Sequence, residues 1–127
     1  MNEVWRAEAL SLIEHTAQQI AQASGGRAEV LISKGYPYLE NNPELTSSLR
    51  RTAQNFLGES NVEELPIRLT AEDFSFYSQE VPVCFFRLGV RNEAKNLTFS
   101  VHHPKFNIDD NALKIGMQMM ALAPFSE

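Results

Sequence analysis

Two adjacent imidazoles, His102 and His103, lie in the stretch V-H-H-P-K-F-N-I-D-D. Histidine is the commonest metal ligand and a frequent general acid or base. The spacing argues against both rings serving one site. Leu97 to Val101 has a strand pattern, which puts the pair at a strand end. Successive side chains there point to opposite faces, and Pro104 restricts His103 to extended geometry. One ring could then face a pocket at the end of a sheet, where α/β proteins bind ligands. From residue type and spacing alone, packing or a surface hydrogen bond remains the ordinary explanation for each ring.

The acidic pair Glu72-Asp73 also has two readings. Carboxylates at a helix start are stabilised by the helix dipole without any further role. A carboxylate near a metal site can instead orient a ligating histidine. His15 falls inside a helical pattern and reads as structural or solvent-facing. Cys84, between Val83 and Phe85, reads as a small buried hydrophobe. The chain contains no Gly-rich phosphate loop, no G-x-S-x-G elbow and no H-E-x-x-H helix.

Several elements must position these residues. Val4, Ala9, Ile13, Ala17 and Ile20 recur near helical period, so a long helix is expected from Glu3 to Ala23. Asn2 caps it and Ser24-Gly25-Gly26 ends it. Ala28 to Ser33 alternates like a strand. Gly35-Tyr36-Pro37-Tyr38 breaks the pattern and is a candidate hinge. Asn42-Pro43 starts a second helix, with Leu45, Leu49, Ala53 and Phe56 as its apolar stripe and Gly58 as its stop. Val62 to Leu69 is expected as an edge or irregular strand because of Pro66. Thr70-Ala71-Glu72-Asp73 resembles a capping box with Asp for Glu, leading into a short helix through Tyr77. Val83 to Leu88 and Leu97 to Val101 read as further strands. Asp109 or Asp110 caps a final helix. On it, Leu113, Gly116, Met117, Met120 and Ala121 share one face and Ile115, Met119 and Leu122 cover another, so that helix is expected to be mostly buried. The order predicts an α/β fold, a mixed sheet flanked by helices.

Bulk composition narrows the function. The length of 127 residues suits one domain, large enough to bury roughly two-thirds of its unfolded surface. A hydrophobic share of 43% argues against disorder, and a formal charge of −5 disfavours nucleic acid and anionic membrane surfaces. Arg50-Arg51 reads as a solvated helix face. Cys84 has no partner for a disulfide, which fits a reducing, cytoplasmic setting. Glu3 and Glu8 interrupt the start, so no signal peptide is expected, and no apolar run approaches a membrane span.

The motifs together carry a family likeness. Gly35-Tyr36-Pro37, Asn42-Pro43-Glu44-Leu45, Ala71-Glu72-Asp73-Phe74-Ser75, Val81-Pro82, Phe85-Phe86-Arg87-Leu88-Gly89 and His102-His103-Pro104-Lys105-Phe106 resemble the metal-dependent aminoacylase and carboxypeptidase family. The similar branch is the N-acyl-amino-acid amidohydrolases, such as hippurate and auxin-conjugate hydrolases. Thr70 and Val83 depart from that branch, which usually has glycine at both positions.

The resemblance implies that the chain is the C-terminal part of a zinc-peptidase-like catalytic domain plus a helix–strand remnant of the lid domain. Residues 1–36 would be the partial lid or dimerisation domain and 37–127 the catalytic part. It implies that His102, first of the H-x-P-x-F motif, is a metal ligand, and that Glu72, Asp73 and His103 lie near the pocket without ligating. The metal would be zinc, manganese, nickel or cobalt, and the substrate an N-acyl amino acid or peptide-like amide. No H-x-D or C-x-H ligand motif is present, and Glu63-Glu64 lies in the wrong region to be the family's carboxylate dyad. A catalytic zinc needs about three protein ligands and an open position. No catalytic residue is therefore assigned within the chain, which is expected to be inactive and to hold no metal alone. The competing expectation is a non-catalytic remnant or association module. An unpaired edge and apolar face would drive it to self-assemble as a homo-oligomer or to pair with a complementary N-terminal chain.

Overall fold

The computed structural model describes residues 2–126. Four α-helices carry the regular structure: α1 (Glu3–Ala23), α2 (Pro43–Leu57), α3 (Ser75–Ser78) and α4 (Asn111–Leu122). Short 3-10 turns follow α2 at Glu59–Asn61 and α4 at Ala123–Phe125. The chain forms two compact units. One runs from the N-terminus to Glu40 and includes Ile67–Val81; the other takes Asn41–Pro66 and everything from Pro82 onward.

The helix ends follow local chemistry. The Val4 N–H donates to Asn2 Oδ1 (2.7 Å) at the start of α1. Asn42 Oδ1 accepts from the Leu45 N–H (2.9 Å) at the start of α2, with proline in the first turn. Gly58 closes α2 with φ of 87°, a backbone region that costs glycine little.

The expected α/β architecture is not formed. Among the described residues there is no sheet, only an isolated antiparallel bridge between Asn92 and Leu97. Strand propensity records how well side chains fit a pleated, half-buried surface, and that surface exists only where a second strand supplies ladder bonds. Residues 28–33 and 62–69 have no such partner. Their apolar side chains stand in water instead: Leu31 is 93% exposed, Ile67 91% and Leu69 82%.

In the first unit, side chains tie the backbone where a sheet does not. Arg6 pairs with Glu3 (2.9 Å) and donates to the Tyr36 carbonyl (2.7 Å). Glu3 also accepts from the Tyr38 N–H (3.0 Å), and Gln79 donates to the Tyr38 carbonyl (3.2 Å). The Tyr36 ring meets Phe76 edge-on at 5.9 Å. The segment expected to act as a hinge is thus held by three hydrogen bonds and a ring contact. The apolar stripe of α1 is largely uncovered: Val4, Ile13 and Ile20 are exposed, Ala9 and Ala17 are intermediate, and the helix has no buried residue.

In the second unit, Asn41 takes the place of a neighbouring strand. Its side-chain amide accepts from the Phe85 N–H (2.7 Å) and donates to the Phe85 carbonyl (2.9 Å). The Asn42 N–H donates to the Val83 carbonyl (2.8 Å). The core contains Leu49, Val83, Ala112 and Met119. Val83 is thus part of the core. The final helix is not mostly buried as its composition suggested. Ala112 and Met119 face inward while Leu113, Met117 and Met120 are exposed. Gly116 lies where an added Cβ would come within 3.0 Å of a Leu88 methyl, so close packing offsets the roughly 1 kcal/mol that glycine costs inside a helix.

Candidate metal-facing loop

His102 and His103 do not sit at a strand end. Residues 101–105 form consecutive turns, and the two rings differ because of backbone rather than strand alternation. His102 adopts φ of 72°. A non-glycine residue in this region carries local strain, costing on the order of 1–2 kcal/mol, and such outliers concentrate at functional sites. The His102 side chain is exposed. His103 is committed within its own turn. Its Nδ1 accepts from the Lys105 N–H (3.1 Å), which leaves Nε2 to carry the proton of the neutral ring. The ring stacks on Phe99 with centroids 4.3 Å apart and planes 12° from parallel, and Lys105 Nζ lies 5.8 Å from the same Phe99 centroid. Neither His103 nitrogen therefore presents a free lone pair, whereas among the described residues the His102 ring makes no hydrogen bond.

Glu72 and Asp73 belong to the first unit. Glu72 Oε1 accepts from the Phe74 N–H (3.2 Å), and its carbonyl accepts from the buried Ser75 hydroxyl. The capping-box geometry expected from Thr70 is replaced by this tighter turn. Asp73 is exposed.

A cluster that residue type alone did not reveal lies beside the histidine loop. Asp109 is 8% exposed. Its carboxylate accepts from Lys95 Nζ (2.6 Å), from the Asn92 side-chain amide, and from the Asn111 N–H (3.2 Å) at the start of α4. The hydrogen bonds from Lys95 and then Asn92 lower the Asp109 pKa from 3.8 to about 2. A carboxylate whose folded pKa is depressed stabilises the fold fully above its ordinary pKa and loses that contribution as pH falls through the folded value. Stability of this unit is accordingly expected to decline from about pH 4 toward pH 2, and Asp109→Asn to flatten that part of the curve in urea melts across the range. A wild-type curve that is flat between those values would contradict the arrangement. The sequence marked Asp109 only as a helix cap; its partners are 14 and 17 residues away.

Among the described residues, no group of three or more His, Cys, Asp or Glu could hold a metal ion. His102 alone does not make a complete metal site. No helix among the described residues is long and apolar enough to cross a membrane.

The second unit thus presents an exposed histidine with a positive φ on a turn whose base carries a buried carboxylate. The chain belongs to peptidase family M20/M25/M40, which matches residues 6–124. Members are typically metal-dependent. The chain is 35% identical over 86 residues to IAA-amino acid hydrolase ILR1-like 6 of Arabidopsis thaliana, covering 68% of this chain and 18% of that protein. It is 33% identical over 123 residues to thermostable carboxypeptidase 2 of Saccharolobus solfataricus, covering 96% of this chain and 30% of that protein. The chain thus spans less than a third of the length of the relatives it matches. No solved structure matches it.

Proposed function

We propose that this chain is the C-terminal segment of a metal-dependent amidohydrolase that cleaves N-acyl amino acids or related amide bonds, and that it is inactive alone. His102 is one metal ligand; the remaining ligands and the general base come from polypeptide outside these 127 residues. Residues 1–36 belong to a lid or dimerisation domain and 37–127 to the catalytic domain, in a cytoplasmic enzyme using zinc, manganese, nickel or cobalt. His103, the neighbour of His102 in the same turn, does not ligate. The observation that carries this reading is the strained, exposed His102 beside a His103 whose Nδ1 is already engaged by the Lys105 N–H. The relatives' names, an amino acid hydrolase and a carboxypeptidase, support the substrate class.

One histidine is far from the ligand set of a catalytic zinc. Zinc titration of the isolated chain should therefore show no tight stoichiometric site, with His102→Ala behaving the same way. Submicromolar binding of one equivalent that survives His102→Ala would refute the assignment.

The uncovered apolar positions favour a second reading, an association module. Leu31, Ile67 and Leu69 and the α1 stripe expose an apolar surface that a partner would cover. On this reading the chain self-associates, and the sedimentation coefficient rises with concentration. A single monomeric species across a hundredfold concentration range would dismiss it.

A further inference from the structure

We infer that Asn92, Lys95 and Asp109 form a clamp that positions the loop carrying His102. Residues 98–108 leave and return to the second unit at neighbouring points. On the departing side are the Asn92–Leu97 bridge and Lys95; on the returning side is Asp109. The Asp109 N–H also donates to the Val90 carbonyl (3.0 Å), and its carboxylate reaches across to both Asn92 and Lys95.

Within the loop, the bonds fix shape but not orientation. The His103 N–H donates to the Ser100 carbonyl, the Phe106 N–H to the His103 carbonyl, and the Lys105 N–H to His103 Nδ1. The Phe99–His103 stack is also internal. These contacts all lie within 98–108, whereas those of Asn92, Lys95 and Asp109 join its two ends. The base is therefore a polar connection that sets where the turn, and with it His102, is aimed. A compact loop closed at its ends is a common carrier of functional residues, and a strained residue persists only where its surroundings hold it.

Lys95 and Asp109 are positioning residues on this account. Lys95 is half-exposed and contributes a charge-assisted bond rather than core packing. Without it, the buried Asp109 carboxylate loses its cationic partner, which is strongly unfavourable for a desolvated charge. The functional meaning rests on the reading of His102 as the metal-facing residue, but the loop's dependence on the clamp can be measured separately.

The experiment uses the whole chain, uniformly labelled, by backbone relaxation and NOE spectroscopy. In wild type the His102 amide should show an order parameter near 0.85 and the strong intraresidue amide–Hα NOE that a positive φ produces. Lys95→Met should drop the order parameters of 98–108 below about 0.6 and weaken that NOE, while the amides of α2 stay rigid. Lys95→Arg, whose guanidinium also serves a carboxylate, should restore both signals. Asp109→Asn should match Lys95→Met; unfolding of that variant would leave the Lys95 pair to decide. Unchanged loop order in Lys95→Met, or loss that Arg fails to rescue, overturns the clamp. His102→Ala should keep the loop ordered, so a failed metal assignment with an intact clamp response is distinguishable from a failed clamp.

Discussion

His102→Gly is expected to separate function from stability. Joined to the N-terminal polypeptide that the proposed function requires, the wild-type chain should support chelator-sensitive hydrolysis of N-acyl amino acids. The glycine variant should lower that rate by at least about 100-fold, because even groups that only orient metal ligands typically cost 10–100-fold when removed. Its fold should not suffer. Relief of the left-handed backbone is favourable by roughly 1–2 kcal/mol, and the added freedom of glycine in the unfolded chain costs roughly 0.5–1 kcal/mol. The net change should fall between about 0 and 1.5 kcal/mol on the stabilising side, against the usual loss of about 1 kcal/mol for a point substitution. Turnover within a few-fold of wild type would remove His102 from the site. A large loss of stability would mean that its backbone is not strained.

The second large effect concerns two neighbouring methionines. Met119 is 3% exposed and Met120 64% exposed. Truncating a buried methionine to alanine typically costs 2–5 kcal/mol, about the scale expected for Met119→Ala. Met120→Ala should change stability by less than about 0.5 kcal/mol, as at other exposed positions. Few apolar side chains are buried in this chain, so the first change is large relative to the total available. Urea midpoints of the two variants, measured side by side, check the difference. Equal midpoints would show that α4 does not pack through Met119.

Helix α4 also shows what composition hides. Its residues are apolar nearly all round, and periodicity sorted Met117, Met119 and Met120 onto two plausible faces. Only the segment lying against the helix selects one: Leu88 comes close to Gly116, and Ala112 and Met119 are the residues that go inside. The histidine pair shows the same limit. Strand alternation predicted rings on opposite sides. The structure distinguishes them through a positive φ at His102 and a hydrogen bond to His103 Nδ1, neither of which a dipeptide pattern encodes.

The amino-acid sequence by itself determined the long helices, their caps at Asn2 and Asn42, their glycine stops and the family likeness. Those depend on bonds between residues at most a few positions apart, or on motifs read directly as letters. Whether strand-like segments acquire partners, which methionine is covered, and how Asp109 finds Lys95 and Asn92 were decided only by tertiary structure. Ladder bonds, burial and ion pairs each require a second group brought from elsewhere in the chain, and local preference cannot say whether it arrives.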